Sequence, residues 1–303
     1  MKSFHANGKL LISGEYLILH GALSLAVPCK YGQRMEVEET DAEKIHWKSL
    51  LMDGDIWKEE IIDIDTLSKK INTSDSILLQ VLKTTIQLKP HFAKTLQHKK
   101  VTTHLEFPPQ WGLGSSSTLI HLIAQWSGAD PLTINSEIMK GSGYDIACAG
   151  ANRPILFKKD AEGAIWDTVH FTPPSPEKIF FIHLNRKQNS QEAIAAFNHK
   201  NKKYADEVDT ISEISEALLF CDNFSDFLIL LQEHEDVMQY VLQQEKVQTT
   251  LFSDFPGVIK SLGAWGGDFV MAASEMEEKE VKGYFRTKGF ETIVKYNQMV
   301  LFI

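Results

Sequence analysis

Cysteine, long apolar runs and excess positive charge are all scarce in this chain. Cys29, Cys148 and Cys221 are its whole complement of thiols, and they stand far apart. An odd, sparse set without metal-like spacing argues against a disulfide scaffold and for a reduced interior. No stretch approaches the roughly 18 consecutive apolar residues of a membrane-spanning helix. The opening "MKSFHANGK" lacks the apolar segment of a secretory signal. A soluble, cytoplasmic protein with no membrane association is therefore expected. Lys and Arg number 31 against 40 Asp and Glu, a formal charge of −9. Binders of phosphate-rich polymers carry basic patches, so no nucleic-acid partner is expected. A small anionic ligand needs only a few local cations and stays open. His20, His121, His183 and His234 are scattered without metal-ligand spacing.

What remains is ordinary globular material. The 303 residues are 43% hydrophobic and 23% charged, enough for sizeable cores, and at this length two domains are expected rather than one. "KLLISGEYLIL" (Lys9 to Leu19) reads as strand, turn and strand. "QRMEVEE" alternates as a half-buried strand does, and "KIHWKSLLMDGDIWKEE" reads as a hairpin turning at Asp53-Gly54. Ser74 to Leu88 has helical spacing, with Ser74 or Asp75 as its N-cap. "KKVTTHLEF" is an alternating strand that runs into "PPQWGLGSSSTLI", Pro108 to Ile120. "LLFCDNFSDFLILLQEHEDVMQYVL" is an apolar-rich helical region, "EMEEKEVKGYFRTKG" a solvated helix with a turn, and "DFVMA" strand-like.

The stretch from Pro108 to Ile120 thus lies between a strand and a helix. A helix N-terminus leaves amide N–H groups unpaired and carries partial positive charge. Glycines before it allow an anion to approach the backbone closely. No Gly-Lys-Ser/Thr closes the loop, so it is not a Walker A motif. By itself it is equally well an ordinary serine-rich helix start.

Three further stretches bear on that choice: "ANGKLLISGEYLILHG" (Ala6 to Gly21), "GSGYDIACAG" (Gly141 to Gly150) and "KSLGAWGGDFVMA" (Lys260 to Ala272). With "PPQWGLGSSS" they resemble, in order, the motifs of the GHMP kinases, the family named for galactokinase, homoserine kinase, mevalonate kinase and phosphomevalonate kinase. The resemblance runs from Ala6 to about Ala272, most of the chain.

The resemblance implies roles residue by residue. Gly8 and Lys9 stand where the family reads Pro-Gly-Lys, with Asn7 in place of the proline; Lys9 would act at the acceptor hydroxyl. Asp145 matches the catalytic aspartate. Such a residue gives the hydroxyl proton somewhere to go; outside this resemblance a turn or N-cap aspartate following Gly141 and Gly143 is the favoured reading. Pro109, Gly112, Leu113, Gly114, Ser115 and Ser116 match the loop that holds the nucleotide phosphates, and Ser116 would help hold Mg²⁺. Glu137, eight positions before Asp145, is a candidate second Mg²⁺ ligand or a solvated helix glutamate. Glu15 and Tyr16 match an acceptor-side turn. Gly263, Ala264, Gly266, Gly267 and Asp268, with Lys260 and Ser261 upstream, match a glycine loop of the phosphomevalonate branch. Arg186, Lys187 and Ser190 lie in a loop that would face the acceptor, and a solvated basic turn suits them equally.

The implied fold is α+β in two domains. Residues 1–173 would form an N-terminal ATP-binding α/β domain of the ribosomal protein S5 domain 2-like type. Residues 174–303 would form a ferredoxin-like α/β sandwich, the break falling in the proline-rich "FTPPSPEK" and the active site in the cleft between the domains. The implied function is ATP- and Mg²⁺-dependent transfer of a γ-phosphoryl group to a small isoprenoid precursor, phosphomevalonate first and mevalonate second. A non-catalytic nucleotide or metabolite sensor is the alternative, and a homodimer stays open. Trp111 and Trp265 stand where the family has small residues. Both rings are expected beside the site, where ligand binding would change their fluorescence. Ser117 matches a position that is usually alanine, so its hydroxyl is expected to be dispensable.

Overall fold

The structure, a computed structural model, describes residues 1–72, 74–139, 141–186, 197 and 204–301. The chain forms two compact units. Met1–Lys9, Tyr31–Pro109 and Leu113–Gly150 make the first, and Leu10–Lys30, Gln110–Gly112 and Ala151–Ile303 the second. The sequence-based division at residue 173 rests on resemblance and stays a proposal beside these units.

Strand β1 (Lys2–Leu11) leads through a 3₁₀ turn at Leu17–His20 into the long strand β2 (Ser24–Glu39). The second strand expected at "YLIL" does not form. Tyr16 at φ 60 and Gly21 at φ 93 reverse the chain around a single tight turn.

In the first unit β2 pairs antiparallel with β5 (Lys99–Leu105), from Gln33 opposite Leu105 to Glu39 opposite Lys99. Strand β3 (Ile45–Leu50) pairs parallel with β5 and antiparallel with β4 (Ile56–Ile62). The β3–β4 hairpin turns at Asp53-Gly54 as expected, with Gly54 at φ 89. Alternation sends Met35 and Val37 inward and Arg34 and Glu36 outward. Among the helices of this unit are α1 (Ile77–Leu88), α2 (Ser115–Ser127), α3 (Pro131–Ile138) and α4 (Tyr144–Ala149). Met35, Trp47 and Val101 share a core with Leu78, Leu82, Ile120 and Ile123. Burying each such side chain contributes about 1.5–3 kcal/mol, most of it offset by chain entropy. The cap of α1 is Ser76, whose side chain accepts from the Leu79 N–H at 3.3 Å, rather than Ser74 or Asp75. The Asp75 carboxylate is already taken, by the Lys83 ammonium at 2.6 Å and the Asn72 N–H at 2.9 Å.

In the second unit, Ser24–Ala26 of β2 pair with β6 (Ile155–Lys159), which turns back into β7 (Ala164–Thr168). A separate antiparallel sheet is built from β8 (Ile179–His183), β9 (Val258–Ser261), β10 (Phe269–Ala273) and β11 (Ile293–Lys295), in the order β11-β8-β10-β9. Phe180, Ile182, Ile259 and Val270 of this sheet pack with Phe252 and Phe285. The apolar-rich helical region resolves into α5 (Ala205–Phe220) and α6 (Phe224–Leu242). Asn223 ends the break by capping α6 through the Asp226 N–H at 2.8 Å. The solvated helix is α7 (Glu278–Thr287). The mixed sheet and the second, antiparallel sheet agree with the expected α+β fold. Among the described residues no helix is long and apolar enough to cross a membrane.

Candidate active site

The residues singled out by their sequence fall into two groups, one in each unit. The first group forms where β1 meets the start of α2. The Lys9 N–H donates to the Leu113 carbonyl at 3.1 Å, which fixes the glycine loop against the strand. Gly8 permits this approach, since a Cβ there would lie 2.7 Å from the Tyr31 carbonyl oxygen and 3.2 Å from Leu113 Cβ. Gly114 is the N-cap of α2 at φ 92 and supplies no side-chain cap. A Cβ on Gly114 would meet Lys9 Cε at 3.3 Å and Ser117 Oγ at 3.5 Å, so the lysine chain lies along the loop backbone. The Lys9 ammonium stands 5.7 Å from the centre of the Tyr144 ring, in contact with the start of α4.

Asp145 lies in the first turn of α4, which Gly143 opens at φ 93. It is half-buried, as are Ser115 and Ser116. The Ser117 hydroxyl is buried and donates to Asp145 Oδ2. Ser117 is therefore not the idle alanine substitute expected of it: it ties the first turn of the loop helix to the candidate catalytic carboxylate. Pro109 sits half-buried in the short turn Pro109–Trp111. Glu137 is exposed on α3.

The second group forms where the "SGEY" turn meets the β9–β10 connection. Lys260 and Glu15 are buried, at 0% and 3% exposure, and paired at 2.7 Å. Burial opposes ionisation of Glu15, but the Lys260 ammonium, ahead of His234, overrides it and holds the carboxyl at about 2 against an ordinary 4.5. The Gly14 N–H donates to His234 Nε2 at 3.1 Å, so that nitrogen serves the turn backbone, and Lys260 is the principal partner of Glu15. The Trp265 N–H donates to the Tyr16 hydroxyl oxygen at 3.1 Å. Burial also pushes the Tyr16 phenol up. Glu15 and Tyr16 are thus joined to the loop around Gly263, Ala264, Gly266 and Gly267, although some 245 positions separate Glu15 from Lys260. Gly263 at φ 68 and Gly266 at φ 73 shape that loop. Asp268 closes it beside Gly112, where a Cβ would lie 2.0 Å from Asp268 Oδ2.

The two tryptophans differ. Trp111 is half-buried and meets Phe269 edge-on at 5.4 Å. Trp265 departs from expectation: it is 7% exposed, and its indole N–H donates to the Glu245 carbonyl at 3.1 Å. Its ring is core material with its one donor used, so it has no polar group left for a ligand. Arg186 is exposed, and Lys187 and Ser190 lie outside the described residues.

The tie between Ser117 and Asp145 and the pairing of Lys260 with Glu15 escaped the sequence. Each joins a hydroxyl or ammonium to a carboxylate far along the chain, and no local period marks such a pair. The extra serine after "GLGSS" and the lysine before "GAWGGD" were the available signals.

No protein-family model and no curated protein matches the sequence. Solved structures match over nearly the whole chain. A Streptococcus pneumoniae phosphomevalonate kinase, in complex with phosphomevalonate and AMPPNP, superposes with a TM-score of 0.74 at 17% identity, covering 97% of this chain and 100% of its own. The Methanococcus jannaschii mevalonate kinase gives 0.72 at 16%, covering 100% and 98%. A Lactococcus lactis galactokinase complexed with galactose gives 0.63 at 13%, covering 95% and 88%. The fold is that of the GHMP kinases. Within this GHMP-kinase fold the first group gathers a lysine, an aspartate and a helix start without a side-chain cap, groups able to offset negative charge and to take up a proton.

Among the described residues no group of three or more His, Cys, Asp or Glu side chains is arranged to hold a metal. Mg²⁺ bound through phosphates and waters needs only one or two protein oxygens, and the Ser116 hydroxyl at the start of α2 is of that kind. The positive-φ glycines Gly112 and Gly114 and the uncapped amides of α2 fit a phosphate chain.

Proposed function

We propose that this protein is an ATP- and Mg²⁺-dependent small-molecule kinase whose acceptor is phosphomevalonate. The observation that carries the reading is the meeting of Lys9, the glycine-loop helix start and Asp145 in one unit. ATP would supply the γ-phosphoryl group and Mg²⁺ would offset its charge. Gly112, Leu113, Gly114 and Ser115 would hold the phosphates by backbone N–H groups, with Pro109 stiffening the entry to the loop. Ser116 would give Mg²⁺ an oxygen, with Glu137 as a second ligand only if its exposed carboxylate turns inward. Asp145 would accept the acceptor's proton, and Lys9 would keep negative charge favourable beside it.

The choice of acceptor rests on Asp268 and on the resemblance to the phosphomevalonate branch. Gly263, Ala264, Gly266, Gly267 and Asp268 would contribute the acceptor side together with Tyr16, while Glu15 would support that turn through Lys260. Lys187 and Ser190 remain acceptor contacts by resemblance alone. Mevalonate is the second acceptor, since mevalonate kinases share the fold.

The test is ADP release from ATP and Mg²⁺ with phosphomevalonate, mevalonate, galactose and no acceptor. Release that depends on phosphomevalonate is expected. Dependence on mevalonate would shift the acceptor within the same reading. No release with any of them would leave the sensor reading in its place.

A further inference from the structure

We propose that Ser117 is a positioning residue for phosphoryl transfer, acting through Asp145; this rests on the kinase reading above. In that reaction the attacking acceptor oxygen, a phosphate oxygen in phosphomevalonate or a hydroxyl in mevalonate, gives any proton it carries to Asp145. The acceptor oxygen bonds to the γ-phosphorus as the bond from that phosphorus to ADP breaks. The carboxylate must present one oxygen to the acceptor in a narrow range of directions.

Asp145 sits in the first turn of a six-residue helix that begins after a glycine. Backbone so short and so entered does little to choose a carboxylate rotamer. Ser117 makes the choice instead. A helical serine commonly turns its hydroxyl back to the carbonyl four residues earlier. Ser117 donates to Asp145 Oδ2, from α2 to α4, and does so from a position only 4% exposed. A buried hydroxyl keeps its partner because losing it costs more than any exposed bond would. With the hydroxyl held on Oδ2, the carboxylate would present Oδ1 to the acceptor. The same Ser117 Oγ lies beside the Gly114 backbone that Lys9 covers. One hydroxyl therefore sets the base relative to the loop that would carry the phosphates.

The experiment is a double-mutant cycle on the full chain, read by steady-state kinetics with ATP, Mg²⁺ and the acceptor that supports ADP release. Ser117→Ala fills the site with a good helix former, so the fold is retained and a thermal melt checks it. Its kcat is expected to fall by about tenfold, as for a base displaced by a fraction of an ångström. Its KM for ATP should stay within about twofold, because no ground-state contact to nucleotide is removed. In an Asp145→Asn background the same substitution should cost nothing further, since the group it positions is gone. A wild-type kcat for Ser117→Ala in an otherwise active enzyme overturns the proposal and leaves the kinase reading intact. An equal loss in both backgrounds also overturns it, by showing a role independent of Asp145. No phosphoryl transfer by the wild type to any acceptor overturns the kinase reading, and this proposal falls with it.

Discussion

Two adjacent serines at the start of α2 sit in different surroundings. Ser116 is half-buried in the first turn, and Ser117 is buried and turned to Asp145. Their losses should differ in kind. With Ser116 as the proposed Mg²⁺ ligand, Ser116→Ala would remove an oxygen from a hard cation. It is expected to raise the Mg²⁺ concentration needed for half-maximal nucleotide binding about tenfold, whereas Ser117→Ala should leave that titration where it was. Calorimetric titration of nucleotide at several Mg²⁺ concentrations checks this. Equal shifts in both variants would put the metal-facing hydroxyl one residue from where it is assigned. The motif was legible here because Gly-Leu-Gly-Ser-Ser is a local backbone device. The partner of Ser117 was not legible, because it lies 28 positions away on a different helix.

The junctions between strands and turns carry the second lesson. The hairpin at Asp53-Gly54, the alternation of β2 and the strand entering the glycine loop were read correctly, because period and turn chemistry are local. "YLIL" was misread because its apolar residues serve a tight turn and a core, and a turn of this kind has no period. What secures that turn is the buried pair of Glu15 with Lys260 of β9. The Glu15 carboxyl is depressed to about 2 in the folded chain, below its ordinary 4.5. Its contribution is therefore complete above pH 4.5 and is lost as pH falls from there towards 2. Glu15→Gln should cost about 3–5 kcal/mol at neutral pH by leaving Lys260 buried and unpaired. The stability gap between wild type and variant should then shrink as pH falls through that window. Urea unfolding at stepped pH measures it, and a gap independent of pH would refute the pairing.

A second junction is steric. Gly112 at φ 65 faces Asp268 so closely that a Cβ would overlap its carboxylate, whereas Gly128 at φ 70 faces open space. Both alanine variants carry the cost of a left-handed backbone, about 1 kcal/mol. Gly112→Ala should lose about 1–3 kcal/mol more through the clash. Thermal melts of the two variants give the comparison, and equal losses would mean that Asp268 simply swings away.

For the chain as a whole, the fold was legible through four short motifs in order, and neighbours at 13–17% identity share it over nearly the full length. So low an identity carries architecture and leaves chemistry to the residues themselves. The acceptor was not legible, because solved structures of this fold at such identities include kinases named for different acceptors. Trp265 marks the opposite limit: a bulky residue in a glycine loop reads as a gatekeeper in sequence and is core in structure. The central claim is that Asp145 and the helix start beside it move a phosphoryl group from ATP to a small alcohol or phosphate. The most direct measurement is acceptor-dependent ADP release with the product's mass recorded, for wild type and Asp145→Asn side by side. The account predicts one added phosphoryl group on the acceptor with wild type. With Asp145→Asn it predicts turnover lower by about 10²-fold or more while ATP still binds. Turnover by Asp145→Asn at the wild-type rate, or ADP release with no phosphorylated acceptor, would contradict it.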